Sequence, residues 1–124
     1  MKKLLLSLAV ALCAASAFGQ ATLCNAVTAT GACAAVQGNQ GGGTSHSKTY
    51  QASGATSAGA GSCVMPVQGS NDAVNYDTIG TITLTLSTTS SSDSFTSIDR
   101  YTWVRGNPTT LTGTNAYCTL RMGY

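Results

Sequence analysis

Between Val74 and Ser87 the sequence alternates. Val74, Tyr76, Ile82, Leu84 and Leu86 fall on even positions, while Thr81, Thr83, Thr85 and Ser87 fall on odd ones. A period of two is that of a strand, whose successive side chains point to opposite faces, so the segment reads as half-buried β-structure rich in β-branched residues. From Ala21 onward no segment sustains the 3.6-residue period of an amphipathic helix, and the Ala-rich stretches are broken by Gly and Thr. Ser97 to Arg105 and Asn115 to Tyr124 share the strand composition, separated by turn signals at Gly106-Asn107-Pro108 and Gly113. A shorter strand is expected at Cys63 to Gln68, with Pro66 marking it as an edge because proline cannot donate to a ladder. These patterns predict an all-β fold, a small antiparallel sandwich or partial barrel.

The cysteines point to the compartment. Met1-Lys2-Lys3 is a short positive region and Leu4 to Ala15 an apolar run, followed by small residues in Ala15-Ser16-Ala17-Phe18-Gly19. That is the pattern of a bacterial-style secretory signal peptide over residues 1–19, shorter than the ~20 apolar residues a membrane span requires. No membrane span is expected after cleavage, and Cys13 would leave with the leader. Cys24, Cys33, Cys63 and Cys118 remain, an even number that reads as two disulfides in an oxidising, secreted setting. Four cysteines allow three connectivities. We expect Cys24–Cys33 to close a short loop through Thr30-Gly31 and Cys63–Cys118 to tie strand regions together. A zinc site is disfavoured because there is no C-x-x-C pair and the one histidine, His46, sits in a Gly/Ser-rich tract.

Large apolar side chains are unevenly spread. Residues 21–62 hold Leu23, Val27, Val36 and Tyr50, whereas residues 63–124 hold nineteen. Since burial scales with apolar area, residues 63–124 are expected to form the β-rich domain. Residues 20–62 are expected to be a Gly/Ser/Thr/Ala-rich N-terminal segment with short strands. Within it Gly38 to Ser62, with Gly41-Gly42-Gly43, offers little apolar return for ordering its backbone and reads as a flexible loop.

Charge narrows the partners. From Ala21 onward Lys48, Arg100, Arg105 and Arg121 balance Asp72, Asp77, Asp93 and Asp99, and there is no Glu. A neutral body with no basic stripe argues against nucleic acid and anionic lipid as partners. Catalytic patterns are equally sparse. His46 beside three glycines makes a poorly held base for a nucleophilic triad. Asp72 with Asp77, or Asp93 with Asp99, could be paired as a glycosidase would need, but their Ser-Asn-Asp and Ser-Ser-Asp-Ser settings suit turns better. Asn71, Asp72, Asn75 and Asp77 could offer oxygens to Ca²⁺ without matching an EF-hand loop. Gly38 to Gly43 lacks the ending of a phosphate loop. The expectation is a non-enzyme with no cofactor and no metal.

One aromatic grouping stands out. If residues 97–105 and 115–122 pair as a hairpin, Trp103 lies opposite Tyr117 and Asp99 opposite Arg121, with Ile98, Val104, Ala116, Cys118 and Met122 sharing the buried face. Tyr101, Trp103 and Tyr117 would then form an outward platform flanked by Arg100 or Arg105, able to stack on a sugar ring or anchor a protein. The competing reading puts the single Trp in the core. The Thr81, Thr83, Thr85 ladder could order water at an ice surface, although no repeat extends it and such a ladder is also an ordinary solvent face.

Asn75-Tyr76-Asp77-Thr78-Ile79, leading into Thr81-Ile82-Thr83-Leu84-Thr85, resembles the Tyr-x-Asp-Thr-hydrophobic strand of secreted spore-coat-U and pilin-like sandwich subunits. In those families this strand closes the domain, whereas about forty residues follow it here, and no family is assigned on it. The functional expectation is a secreted or cell-surface structural or adhesive β-protein. It would act by self-association or by binding an extracellular partner, because low net charge weakens colloidal repulsion. The alternative is a small recognition module that takes a glycan or protein on its aromatic platform.

Overall fold

The computed structural model describes residues 20–38 and 47–123. The signal peptide expected over residues 1–19, Cys13, the Gly41–Gly43 run and His46 lie outside them. Nine strands occur among the described residues: β1 (Gln20–Val27), β2 (Val36–Gln37), β3 (Ser47–Ala55), β4 (Ala58–Ser70), β5 (Asp77–Leu86), β6 (Ser91–Ile98), β7 (Trp103–Gly106), β8 (Thr110–Thr114) and β9 (Tyr117–Gly123). They form two antiparallel sheets. The first has the order β1-β9-β3-β6; the second runs β2-β7-β4-β5, with β8 also paired to β4. The chain is all-β, as its alternation predicts.

The core lies between the sheets and follows strand parity. Tyr50 and Ala52 of β3, Cys118, Leu120 and Met122 of β9, and Leu23 and Cys24 of β1 face Cys63, Met65 and Val67 of β4, Ile82, Leu84 and Leu86 of β5, and Val104 of β7. Two disulfides hold this arrangement. Cys63–Cys118 joins β4 to β9 across the two sheets, and Cys24–Cys33 ties β1 to the segment leading into β2. Both bridges are those expected from the sequence.

Several expectations are corrected. The stretch read as a flexible loop holds β3 and the first part of β4, and β4 continues through Ser62 and Cys63 without interruption. β3 is a central strand, paired to β6 on one side and β9 on the other. Its small residues serve close approach: a Cβ added at Gly54 would meet the Tyr117 carbonyl and the Leu86 side chain. Two full ladders supply what its few apolar side chains do not.

β4 is not an edge either. Pro66 is tolerated because it falls in the gap between β7 and β8. The carbonyls of Val64 and Pro66 accept N–H bonds from Thr109 (3.0 Å) and Asn107 (2.9 Å) in the β7–β8 connection. The missing N–H of Pro66 turns to that same side, so the β4–β5 ladder loses nothing.

The alternating segment enters its ladder later than its pattern suggests. β5 begins at Asp77, and Val74 is 77% exposed in the preceding turn. Asp72 accepts the backbone N–H groups of Val74 and Asn75, and this local turn outcompetes strand extension.

The hairpin between residues 97–105 and 115–122 does not form. β7 belongs to one sheet and β9 to the other. The stretch read as one strand, Ser97 to Arg105, breaks after Ile98, and residues 99–102 carry the chain from sheet to sheet. Val104, Ala116, Cys118 and Met122 are buried as expected, but Ile98 is 81% exposed. Its pairing with Ser47 gives it the outward parity of Ser94 and Thr96.

Candidate functional site

The three aromatic residues expected to share a platform occupy three places. On β7, Val104 and Gly106 face the core, so Trp103 and Arg105 point outward from the second sheet. On β9, Cys118, Leu120 and Met122 are the core residues, which turns Tyr117 to the outer face of the first sheet. Trp103 and Tyr117 therefore lie on opposite outer faces. Tyr101 packs against the core, its ring filling the space beside Gly69 where a Cβ would stand. Asp99, expected opposite Arg121, instead meets Lys48.

On the outer side of β7 the contacts belong to Arg105, two residues along the strand from Trp103. Arg105 is registered with Gln68 of β4, and its Nε donates to Gln68 Oε1 at 2.9 Å. Its guanidinium lies 3.7 Å from the centroid of the Tyr76 ring, within range of a cation–π contact. Arg105 was anticipated as a flank. Tyr76 continues the even-number pattern of Ile82, Leu84 and Leu86 but lies ahead of β5, where the Asn71-Asp72…Asn75 cluster of turn formers is the sequence signal for its place.

That turn is built around one carboxylate. Asp72 accepts the Asn75 and Val74 backbone N–H groups at 2.8 and 2.9 Å, the Asn75 Nδ2 group at 2.8 Å and the Ser70 hydroxyl at 2.8 Å. The backbone bonds from Asn75 and Val74, then the two side-chain donors, hold its carboxyl well below the usual carboxylate range. Ala73 adopts a φ of 60° to close the turn. Asn71 Oδ1 accepts the Thr102 N–H at 3.2 Å, which docks the turn at the start of β7 and carries Tyr76 toward Arg105. The Asp72 oxygens offered as calcium ligands are thus aimed at donors of their own turn. Among the described residues no group of three His, Cys, Asp or Glu side chains could hold a metal ion.

The rest of this outer face is uncharged. Thr81, Thr83 and Thr85 of β5 stand beside Pro66, Val64 and Ser62 of β4, and beyond these Thr110 and Thr112 of β8 continue the Val64 and Ser62 rows. The threonine ladder is therefore one row of a three-stranded surface. An open cleft of about 400 Å³, lined by Thr28, Leu111, Gly113, Asn115 and Ala116, lies at the β8–β9 turn and carries no ionisable side chain.

The remaining charged cluster is internal. Lys48 Nζ lies 2.6 Å from Asp99 Oδ1 and 3.2 Å from the Asp99 carbonyl, and the Tyr50 hydroxyl donates to Asp99 Oδ2 at 2.9 Å. All three residues are buried. Asp93 differs, being exposed on β6 with its Oδ1 accepting the Ser94 N–H at 2.8 Å. The aspartates considered as an acid–base pair, Asp93 and Asp99, are thus committed to separate local partners.

No protein-family model, no curated protein and no solved structure matches this chain.

Proposed function

We propose that this chain is a secreted or cell-surface structural or adhesive subunit that works by surface association rather than by turnover. The two disulfides support an oxidising compartment, extracellular or periplasmic, and the leader pattern of residues 1–19 supports export. The observation that carries the reading is the uncharged Thr/Ser/Val/Pro face spread over β5, β4 and β8. Such a face has no like-charge repulsion to overcome when it meets another surface. Static light scattering on the mature, oxidised protein is the test. Average mass should rise with concentration, and a constant monomer mass would reject self-association.

A second reading rests on the Trp103, Arg105 and Tyr76 cluster. A guanidinium stacked on one aromatic ring beside a second aromatic suits capture of a glycan or a protein side chain. If it operates, Trp103→Ala should remove binding to a glycan or protein ligand while leaving the unfolding midpoint near that of the wild type.

A further inference from the structure

We infer that the side of β6 left unpaired among the described residues is the seam through which two copies of this chain join, strand edge to strand edge and antiparallel. The inference rests on the self-associating reading above; it assigns the contact between copies to this edge and leaves the uncharged face of β5, β4 and β8 to an extracellular surface.

Sheet edges expose unpaired backbone groups, and proteins usually guard them with bulges, short strands, prolines or charged side chains, lysine above all. The other edges here carry such guards. The β1–β9 register shifts twice, between Thr22 and Cys24 and again between Cys24 and Val27, with Ala26 at a φ of 44°. β2 has two residues. The β4–β8 register shifts between Ala58 and Ser62, and Gly113 within β8 has a φ of 116°. On β5 a register shift falls opposite Val67 and Gln68, and the Thr85 carbonyl is taken by the Ser91 hydroxyl at 2.8 Å. Among the described residues β6 is the least guarded edge. It pairs with β3 through eight successive residues, Ser91 to Ile98, with no shift, it contains no Pro, Lys or Arg, and its one charged residue, Asp93, occupies a single edge group, the Ser94 N–H.

The direction of its free groups can be read. The Ser94 N–H is bonded to the Asp93 carboxylate of its own strand, so it is not part of the β3 ladder and points to the open side. In an antiparallel strand this direction alternates, so Ser92, Thr96 and Ile98 share it with Ser94. A second copy related by a two-fold axis through Phe95 would set Ser94 opposite Thr96 of the second copy and Ser92 opposite Ile98 of the second copy. Each such pair exchanges two backbone bonds, and the Asp93 carboxylate gives up the Ser94 N–H in return. Asp93 falls opposite Ser97 of the second copy, so no like charges meet. Ile98, 81% exposed, gains a neighbouring strand on its outer face. The two four-stranded sheets become one continuous sheet, and the two-fold closes the assembly.

The experiment compares the mature, disulfide-intact wild type with Ser94→Pro and Ser94→Lys by light scattering over an about thousandfold concentration range. Ser94→Pro removes an N–H that β3 does not use, and Ser94→Lys leaves every β3–β6 bond in place, so at least one should unfold like the wild type. The wild-type mass should approach about twice that of the monomer, with amide exchange at Ser92, Ser94 and Thr96 slowing as concentration rises, while the folded variants stay monomeric. If the variants associate as the wild type does, the seam is elsewhere and the subunit reading stands. If the wild type is monomeric throughout, both are overturned.

Discussion

Lys48 and Asp99, 51 residues apart in sequence, meet at 2.6 Å where β3 starts and β6 ends, and the Tyr50 hydroxyl satisfies the other Asp99 oxygen. The pair sits where the chain leaves the first sheet after Ile98. Asp99 turns inward to its cation, and the four residues from Asp99 to Thr102 then cross to the second sheet.

Removing one member of this pair leaves the other charge buried without compensation. Lys48→Met should cost about 3–5 kcal/mol, whereas Lys48→Met combined with Asp99→Leu should recover most of that loss. Urea unfolding of the two variants checks this. A single variant as stable as the wild type would mean that water reaches Asp99.

The two disulfides should differ in weight. Cys63–Cys118 spans 55 residues and Cys24–Cys33 spans 9. By loop-closure entropy their contributions are about 4 and about 3 kcal/mol. Replacing Cys63 and Cys118 with Ala should lower the unfolding midpoint more than replacing Cys24 and Cys33, because it also removes a buried link between the sheets.

Gly69 has no room for a methyl group, since a Cβ there would overlap the Tyr101 ring. Gly69→Ala should destabilise by roughly 1–3 kcal/mol through overpacking. Adding Tyr101→Ala should make the Gly69 substitution nearly silent on that background, which a double-mutant cycle of thermal unfolding measures.

The Asp72 carboxyl is held below its ordinary range by the donors of its turn, Asn75 and Val74 first. A depressed folded pKa means that its contribution is fully present above the unfolded value of about 3.9 and disappears only as pH falls through the folded one. The 71–76 turn should therefore keep its Val74 and Asn75 amide protection at about pH 3, below the unfolded value. In Asp72→Ala that protection should be absent at every pH. An NMR titration midpoint for Asp72 near an ordinary carboxylate would contradict the turn geometry.

What the sequence determined by itself is local. The contrast of Ile82, Leu84 and Leu86 with Thr81, Thr83 and Thr85 sets which side of β5 is buried, because strand parity is a property of adjacent residues. The even cysteine count implied two bridges and left three connectivities; the structure holds the favoured one, Cys24–Cys33 with Cys63–Cys118. What tertiary structure decided is which strands meet. Backbone ladders are blind to side-chain identity, so the segments around Trp103 and Tyr117 fit a hairpin on paper as well as they fit two separate sheets. In the second arrangement Asp99 is buried against a lysine far along the chain, the expected platform is dispersed, and Arg105 lies over the Tyr76 ring instead. β3 shows the same limit from the other direction. Its Ala, Gly and Ser residues have little apolar area to announce a strand, and only pairing on both sides by β6 and β9 makes it one.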